Sequence, residues 1–416
     1  MIRILVSGEP LTFNKGCMGM VIGLHQGLKE QFPGPYEITV LSSKFYASDK
    51  AMYERYDGIK VDRLPWMAPN IRKRHYAKEL LLLAMSLLGF KTPYDKAFQS
   101  YDAIVDLNGD SLTEDYGLFQ LLRRLLPLQI GIRNRIPVFV CAQTLGPFKS
   151  PLGRALARYV LKRVDKLAAR EDISSAYCES IGIGNVIRTG DMALLQRSRP
   201  VDDAGLRAHL EWMTRHPTIG LSVSSLMKSW AASSMTKSYI ECMAEIAEHL
   251  TVEHGYHIIT IPHVIRPYQD DRSAAREMMS LLSPEARGKV KLLEEDLPSD
   301  QLKFLISRCR VLIASRMHAA IAGMTQQVPT ICIATGNKFH GLVGKRLKQE
   351  DCILDFKRMT YEQIVNECVR KAVMMERNKE QIGRQLEREV HRERLRALEN
   401  IRFLLQMTRQ KEAVSP

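Results

Sequence analysis

Apolar residues in this chain come in short, nearly unbroken runs. Between the runs lie longer stretches in which apolar residues recur every three or four positions. IRILVSG (2–8), YEITVLSS (36–43), IKVDRL (59–64), DAIVDLNG (102–109), PVFVCAQ (137–143), DKLAAR (165–170) and NVIRTGD (185–191) read as strands. Runs this apolar do not suit a sheet with one wet face; they suit parallel strands covered by helices on both sides. The polar stretch QRSRPVDDAGLRAHLEWMTRHP (196–217) interrupts the alternation. It restarts with TIGLSVSS (218–225), YHIITIPH (256–263), KVKLLEE (289–295), RVLIAS (310–315), VPTICIAT (328–335) and DCILDF (351–356). Helical patterns such as LGRALARYVLKRV (152–164) and YIECMAEIAEHL (239–250) separate the strands.

The pattern predicts an α/β protein of two Rossmann-like domains whose parallel sheets face an interdomain cleft. The expected divisions are 1–200, 215–358 and a charged helical tail, 359–416, which lies over the outside or returns to the first domain. Ligands of open α/β sheets sit beyond the carboxyl ends of the strands, so the residues that follow each strand are the candidate site. In the first half these are Asn14 and Gly16 in FNKGCMG, Asn108, Gly109 and Asp110 in NGDSLTEDYG, Gln143, and Arg170. In the second half they are Ser224, Ser225, His263, Arg316, His318 and, in GNKFHG, Lys338 and His340.

Two of these stretches suit anions. In REDISSAY, Arg170 ends a strand ahead of a helix with Ser and Asp at its start; the plainer reading is an ion pair with Glu171 or Asp172. In ASRMHAAIAG (314–323), Arg316 and His318 stand at a helix start. Helix N-termini offer unpaired N–H groups and partial positive charge. An arginine fork can grip a carboxylate or phosphate there, and a histidine can move protons near neutral pH.

Charge narrows the partners. The 416 residues carry a formal net charge of +14, which calls for an anionic partner: a phosphorylated substrate, lipid head groups or nucleic acid. The basic residues are dispersed and aromatics are only 7%, leaving few stacking platforms, so neither nucleic acid nor a scaffold role is expected. The eight cysteines are scattered without a CxxC pair, which points to free thiols in a reducing cytoplasm and no zinc site. There is no P-loop, no GxSxG and no DxD, so no metal is expected. The N-terminus lacks a signal-peptide pattern, and no run approaches the ~18 apolar residues of a membrane span. LLLLAMSLLGF (80–90), beside the basic IRKRHYAK (71–78), reads as a core helix with a solvated cap; the alternative is peripheral docking on anionic lipid at the inner membrane face.

FNKGCMG, DAIVDLNGDSLTEDYG, AQTLGPFKSPLGR, DKLAAREDISSAYCESIGIGNVIRTGDMALL and SRMHAAIAGMTQQVPTICIATGNKFHGL, in this order, resemble the polysaccharide pyruvyl transferase family. The resemblance implies GT-B-like architecture. It also implies transfer of pyruvate from phosphoenolpyruvate, as donor substrate without a further cofactor, to sugar hydroxyls as a ketal. The acceptor would be a glycan of the cell surface or its lipid-linked oligosaccharide precursor. The family's donor-binding arginine in its R-x-D segment maps to Arg170, and its R-x-H pair to Arg316 and His318. Arg316 then clamps the donor and His318 is the acid or base, with Lys338 a candidate for the leaving phosphate. The chain departs from the family at NKGCMG, where many members carry an acidic residue after the glycine turn. The competing reading is a GT-B glycosyltransferase that uses a nucleotide sugar.

Overall fold

A computed structural model describes residues 1–8, 11–42, 45–63, 73–200, 204–230, 238–267, 269–334 and 339–414. The first seven apolar runs form β1 (Ile2–Ser7), β2 (Tyr36–Leu41), β3 (Ile59–Asp62), β4 (Ala103–Asp106), β5 (Val138–Gln143), β6 (Lys166–Ala169) and β7 (Val186–Arg188). They pair in the order β3-β2-β1-β4-β5-β6-β7, all parallel. Their apolarity has the expected cause: Ile4, Leu5, Val6, Val105, Val138 and Val140 are fully buried between helical layers.

The remaining runs form β8 (Thr218–Ser222), β9 (His257–Thr260), β12 (Val290–Lys291), β13 (Val311–Ala314), β14 (Thr330–Ala334) and β15 (Ile353–Asp355). Between β9 and β12 lies a ribbon too short to announce itself, β10 (Ile265–Arg266) against β11 (Gln269–Asp270). The second sheet is also parallel, in the order β12-β9-β8-β13-β14-β15. Each sheet therefore reverses direction once along its strand order, between β1 and β4 and between β8 and β13. Such switch points splay the loops of neighbouring strands apart and open a crevice at their carboxyl ends.

The chain divides into two units. The first comprises Met1–Thr12, Met20–Gln196 and Glu393–Pro416; the second comprises Phe13–Gly19 and Arg197–Arg392. This differs from a 1–200, 215–358, 359–416 division in two respects. The FNKGCMG segment groups with the second unit because Asn14 bridges Val264 and the Lys15 N–H donates to His263 O at 2.8 Å. The tail is no third body. Helix Tyr361–Arg377 belongs to the second unit, and helix Lys379–Val414 begins there. From Glu393 onward that helix is part of the first unit, where Asn400 Nδ2 donates to Gly190 O at 2.9 Å.

No described helix is long and apolar enough to cross a membrane. LLLLAMSLLGF falls largely in helix Lys73–Leu87, which buries Leu82 and Leu83 against helix Leu118–Arg133. Ile71 and Arg72 of the basic stretch lie outside the described residues.

Candidate active site

Helix Met317–Thr325 starts directly after β13, at the switch point of the second sheet. Its small residues fix its position. A Cβ on Gly323 would lie 2.7 Å from Leu312 Cδ2, so the helix seats on the sheet at a distance only glycine allows. Arg316 occupies the N-cap position in extended conformation, and its side chain does not cap the helix. Instead Nη2 and Nε donate to Asp271 Oδ1 and Oδ2 at 2.7 and 3.2 Å.

Asp271 is the hub of this region. Only 1% exposed, it also accepts from Ser225 N (2.9 Å), Ser225 Oγ (3.0 Å), Val264 N (2.9 Å) and His263 N (3.2 Å). The loops that follow β8, β9 and β13 are thereby tied to one carboxylate. Ser225 thus serves the hub, while Ser224 N donates to Tyr239 Oη (2.9 Å), whose hydroxyl donates to Ser315 Oγ (2.8 Å). The pair Arg316–Asp271 is bidentate and water-poor, a geometry that holds the guanidinium plane rigidly.

Segment 13–19 supplies the other wall. Asn14 Oδ1 accepts from Gly16 N at 3.2 Å, shaping the turn. Gly16 faces His318 so closely that a Cβ there would lie 2.2 Å from His318 Nδ1. The glycine is thus the space in which the imidazole sits. Lys15 is 2% exposed and forms an ion pair with Asp296.

His263 lies amid these groups. Burial, then the neighbouring His318, Arg316 and Lys15, push its pKa down to about 3. It is therefore a neutral imidazole at physiological pH, and its buried Nδ1 has no hydrogen-bond partner. Lys15 and Arg316 bring positive charge beside the His318 and His263 rings, an arrangement suited to an anion carrying both oxygens to clamp and a proton to exchange. The sign of the His263 shift gives a stability prediction. Between its folded pKa of about 3 and the ordinary 6.5, the unfolded chain binds the proton more readily. Stability is fully present above 6.5 and declines as pH falls toward 3. The His263 share of that loss amounts to about 2 kcal/mol over the first ~1.5 pH units. Urea unfolding of wild type and His263→Gln from neutral to mildly acidic pH should show a shallower decline in the variant; equal slopes would remove His263 from the explanation.

In the first unit Arg170 ends β6 and is 1% exposed. Its partner is neither adjacent carboxylate. Glu171 caps helix Asp172–Ser180 by accepting from Ser174 N, while Arg170 Nη1 donates to buried Asp191 at 2.8 Å and Nε to Thr144 Oγ1 at 3.0 Å. Its Nη2 is buried without a partner and is available to a ligand oxygen. Gly109, at φ +76, lies against it; a Cβ there would come 3.3 Å from Arg170 Nη1. Asn108 Nδ2 donates to Gly8 O across the switch point of the first sheet, and Asp110 accepts from Tyr116 Oη at 3.4 Å.

Gln143, expected as a ligand contact, is engaged through Nε2 while its Oε1 is buried without a partner. It is fully buried, and Nε2 donates to Asp106 O and Oδ1 at 2.8 and 2.5 Å. The register slips between Val140 and Gln143, with Ala142 at φ 45. The pKa of Asp106 is raised from the ordinary carboxylate value, chiefly by burial. His340 is likewise engaged in the framework, with Nδ1 on Glu350 (2.6 Å) and Nε2 near Asp355 (3.4 Å). Lys338 lies outside the described residues.

Sequence reasoning missed Lys15, Asp271 and Asp296. Asp271 had a faint signal, the paired carboxylates of YQDDRS ahead of a helical pattern. The cysteines are free and buried. Among the described residues no group of three or more His, Cys, Asp or Glu side chains is arranged to hold a metal ion.

Comparison with known proteins agrees with this geometry. The sequence model of the polysaccharide pyruvyl transferase family matches residues 14–337. The amylovoran biosynthesis protein AmsJ of Erwinia amylovora is 23% identical over 337 residues, 79% of this chain and 78% of that protein. Among solved structures, a UDP-N-acetylglucosamine 2-epimerase superposes with a TM-score of 0.62 at 12% identity, covering 97% of this chain and 95% of its own. The UDP-GlcNAc 2-epimerase of Neisseria meningitidis, bound to UDP-GlcNAc, gives 0.59 at 13% identity over 99% and 100%. At such identities these structures establish the GT-B-like α/β fold and nothing of substrate.

Proposed function

This chain belongs to the polysaccharide pyruvyl transferase family, and we propose that it moves the pyruvyl group of phosphoenolpyruvate onto two hydroxyls of one sugar, closing a cyclic ketal. The acceptor is a cell-surface polysaccharide or its lipid-linked precursor, the latter presented at the inner face of the membrane. The relative named for amylovoran biosynthesis supports an exopolysaccharide setting.

The observation that carries this reading is the cluster of Lys15, Arg316 and His318 around the neutral His263. Phosphoenolpyruvate presents a carboxylate and a phosphate, and needs cationic groups for both. Arg316, held in plane by Asp271, and the N-terminal end of helix Met317–Thr325 serve one of them. Lys338 is the candidate for the other, and Arg170, whose Nη2 is buried without a partner, is proposed as a substrate-binding group of the first unit. His318 donates a proton to C3 of the enol, and C2 becomes electrophilic. A sugar hydroxyl bonds to C2 as its proton passes to a base. The C2–O bond to phosphate breaks, with the electron pair leaving on phosphate. The second hydroxyl then bonds to C2, and its proton departs with the phosphate. One phosphate is released per ketal formed.

The experiment is phosphate release from phosphoenolpyruvate in the presence of an envelope glycan fraction, with mass spectrometry of the glycan. A pyruvyl adduct with stoichiometric phosphate is expected, along with thermal stabilisation by phosphoenolpyruvate. Stabilisation by nucleoside diphosphates alone, with no adduct, would make the protein a nucleotide-sugar glycosyltransferase instead.

A further inference from the structure

Helix Pro151–Leu161, which follows β5, covers the first sheet with Gly153, Ala157, Val160 and Leu161. Its outer face is open, and the charge there has one sign. Arg154 and Arg158, with Lys162 and Arg163 just beyond the helix end, are exposed. Among the described residues none of the four is paired with a carboxylate. Arg154 Nε bonds Phe148 O at 3.3 Å and Arg163 Nη1 bonds Tyr159 O at 2.7 Å; carbonyl partners leave both charges uncompensated. The nearby acids are otherwise engaged. Glu114 accepts from Ser150 N (2.8 Å), Asp165 from Val138 N (2.8 Å), and Asp115 pairs with Lys149 (2.7 Å).

Apolar side chains run through the same face. Leu152, Ala155 and Tyr159 are exposed at i, i+3 and i+7, one stripe of the helix. Leu152 is 55% exposed, and the Arg163 guanidinium lies 3.6 Å from the Tyr159 ring centroid. The layer continues sideways. The connections β3→β4, β4→β5 and β5→β6 run the same way along the sheet, so right-handed crossovers put their helices on one side. Helix Leu118–Arg133 packs against both helix Lys73–Leu87 and helix Pro151–Leu161. Its first turn carries Phe119, 57% exposed, and helix Lys73–Leu87 ends beside Leu88, 74% exposed.

We propose that this helical layer of the first unit, led by the 151–163 segment, docks on an anionic bilayer surface. Cations interleaved with apolar and aromatic residues, without compensating acids, suit the head-group boundary: the apolar residues enter the acyl edge while the cations meet lipid phosphates. A protein interface would instead gather its apolar residues into a centre ringed by polar groups. The inference extends the lipid-linked reading by naming the surface. Its test uses neither donor nor acceptor, so the two stand or fall separately.

The full chain is sedimented with vesicles of phosphatidylcholine alone or mixed with phosphatidylglycerol. It is compared with Arg158→Glu/Lys162→Glu, and with Arg384→Glu/Arg388→Glu, a control that changes net charge equally at two exposed positions of the second unit. Circular dichroism melts confirm that all three are folded. Binding is expected only to the phosphatidylglycerol vesicles and should weaken with salt. It should fall by at least about 25-fold in the first variant, at about fivefold per cation, and hardly at all in the control. Absence of wild-type binding, equal losses in both variants, or capture of soluble polyglutamate as tightly as the vesicles would each overturn the proposal.

Discussion

Asp271→Ala is expected to cost about 3 kcal/mol of stability, because it leaves the half-buried Arg316 guanidinium uncompensated. Four further donors lose the same acceptor: Ser225 N and Oγ, His263 N and Val264 N. Orphaned buried donors add to the loss at about 1–3 kcal/mol each when water cannot reach them. Asp271→Asn keeps the shape and one oxygen, so it should cost less but still release Arg316 from its bidentate hold. Chemical denaturation separates the cases. An alanine variant within about 0.5 kcal/mol of wild type would show that these loops are held by something else. Transfer activity should fall in both variants, including in the fraction that remains folded, because Arg316 no longer has a fixed plane.

The second large effect concerns Gly16. A methyl at this position meets the His318 ring at 2.2 Å, and the ring is the softer of the two neighbours, so it moves. Displacing a catalytic group by about 1 Å costs about 100-fold in rate, and removing a general acid or base costs about 10²–10⁴-fold. Gly16→Ala is therefore expected to approach His318→Ala in kcat while folding normally. The decisive comparison is the double variant. If Gly16 acts only by giving His318 its room, Gly16→Ala/His318→Ala releases phosphate no more slowly than His318→Ala alone. Additive losses would mean that the segment 13–19 has a separate role. Near wild-type turnover in both His318→Ala and Arg316→Lys would remove the pair from the chemistry altogether.

The strands were legible in the sequence because parallel strands buried on both faces leave nearly continuous apolar runs. All of β1 to β9 and β12 to β15 fall within runs visible by eye. The ribbon of β10 and β11 was not legible: it has two residues per strand and a polar sequence, IRPYQD. Arg316 and His318 were legible because a strand end followed by small helical residues is a local pattern. Asp271 was not, since its burial arises only when three loops distant in sequence converge. Lys15 escaped for the same reason, as its partner Asp296 lies 281 residues away. Gln143 was legible as the residue that ends β5, whereas the register slip between Val140 and Gln143 was not.

The chain end has a consequence for how the protein is made. The core of the first unit includes Ala397, Ile401 and Leu404. A Cβ on Gly27 would meet Ile401 at 2.9 Å, and one on Gly190 would meet Glu393 O at 2.4 Å. These glycines are grooves cut for a helix segment that follows the rest of both units in the chain. During translation the chain emerges N-terminus first, so the unit that begins first is the last to be completed. Until residues beyond 392 are released, its grooves stand open. The second unit, whose final residue is Arg392, has its whole sequence before then. The order of birth and the order of completion are thus reversed, and truncating the tail would damage the N-terminal half of the protein.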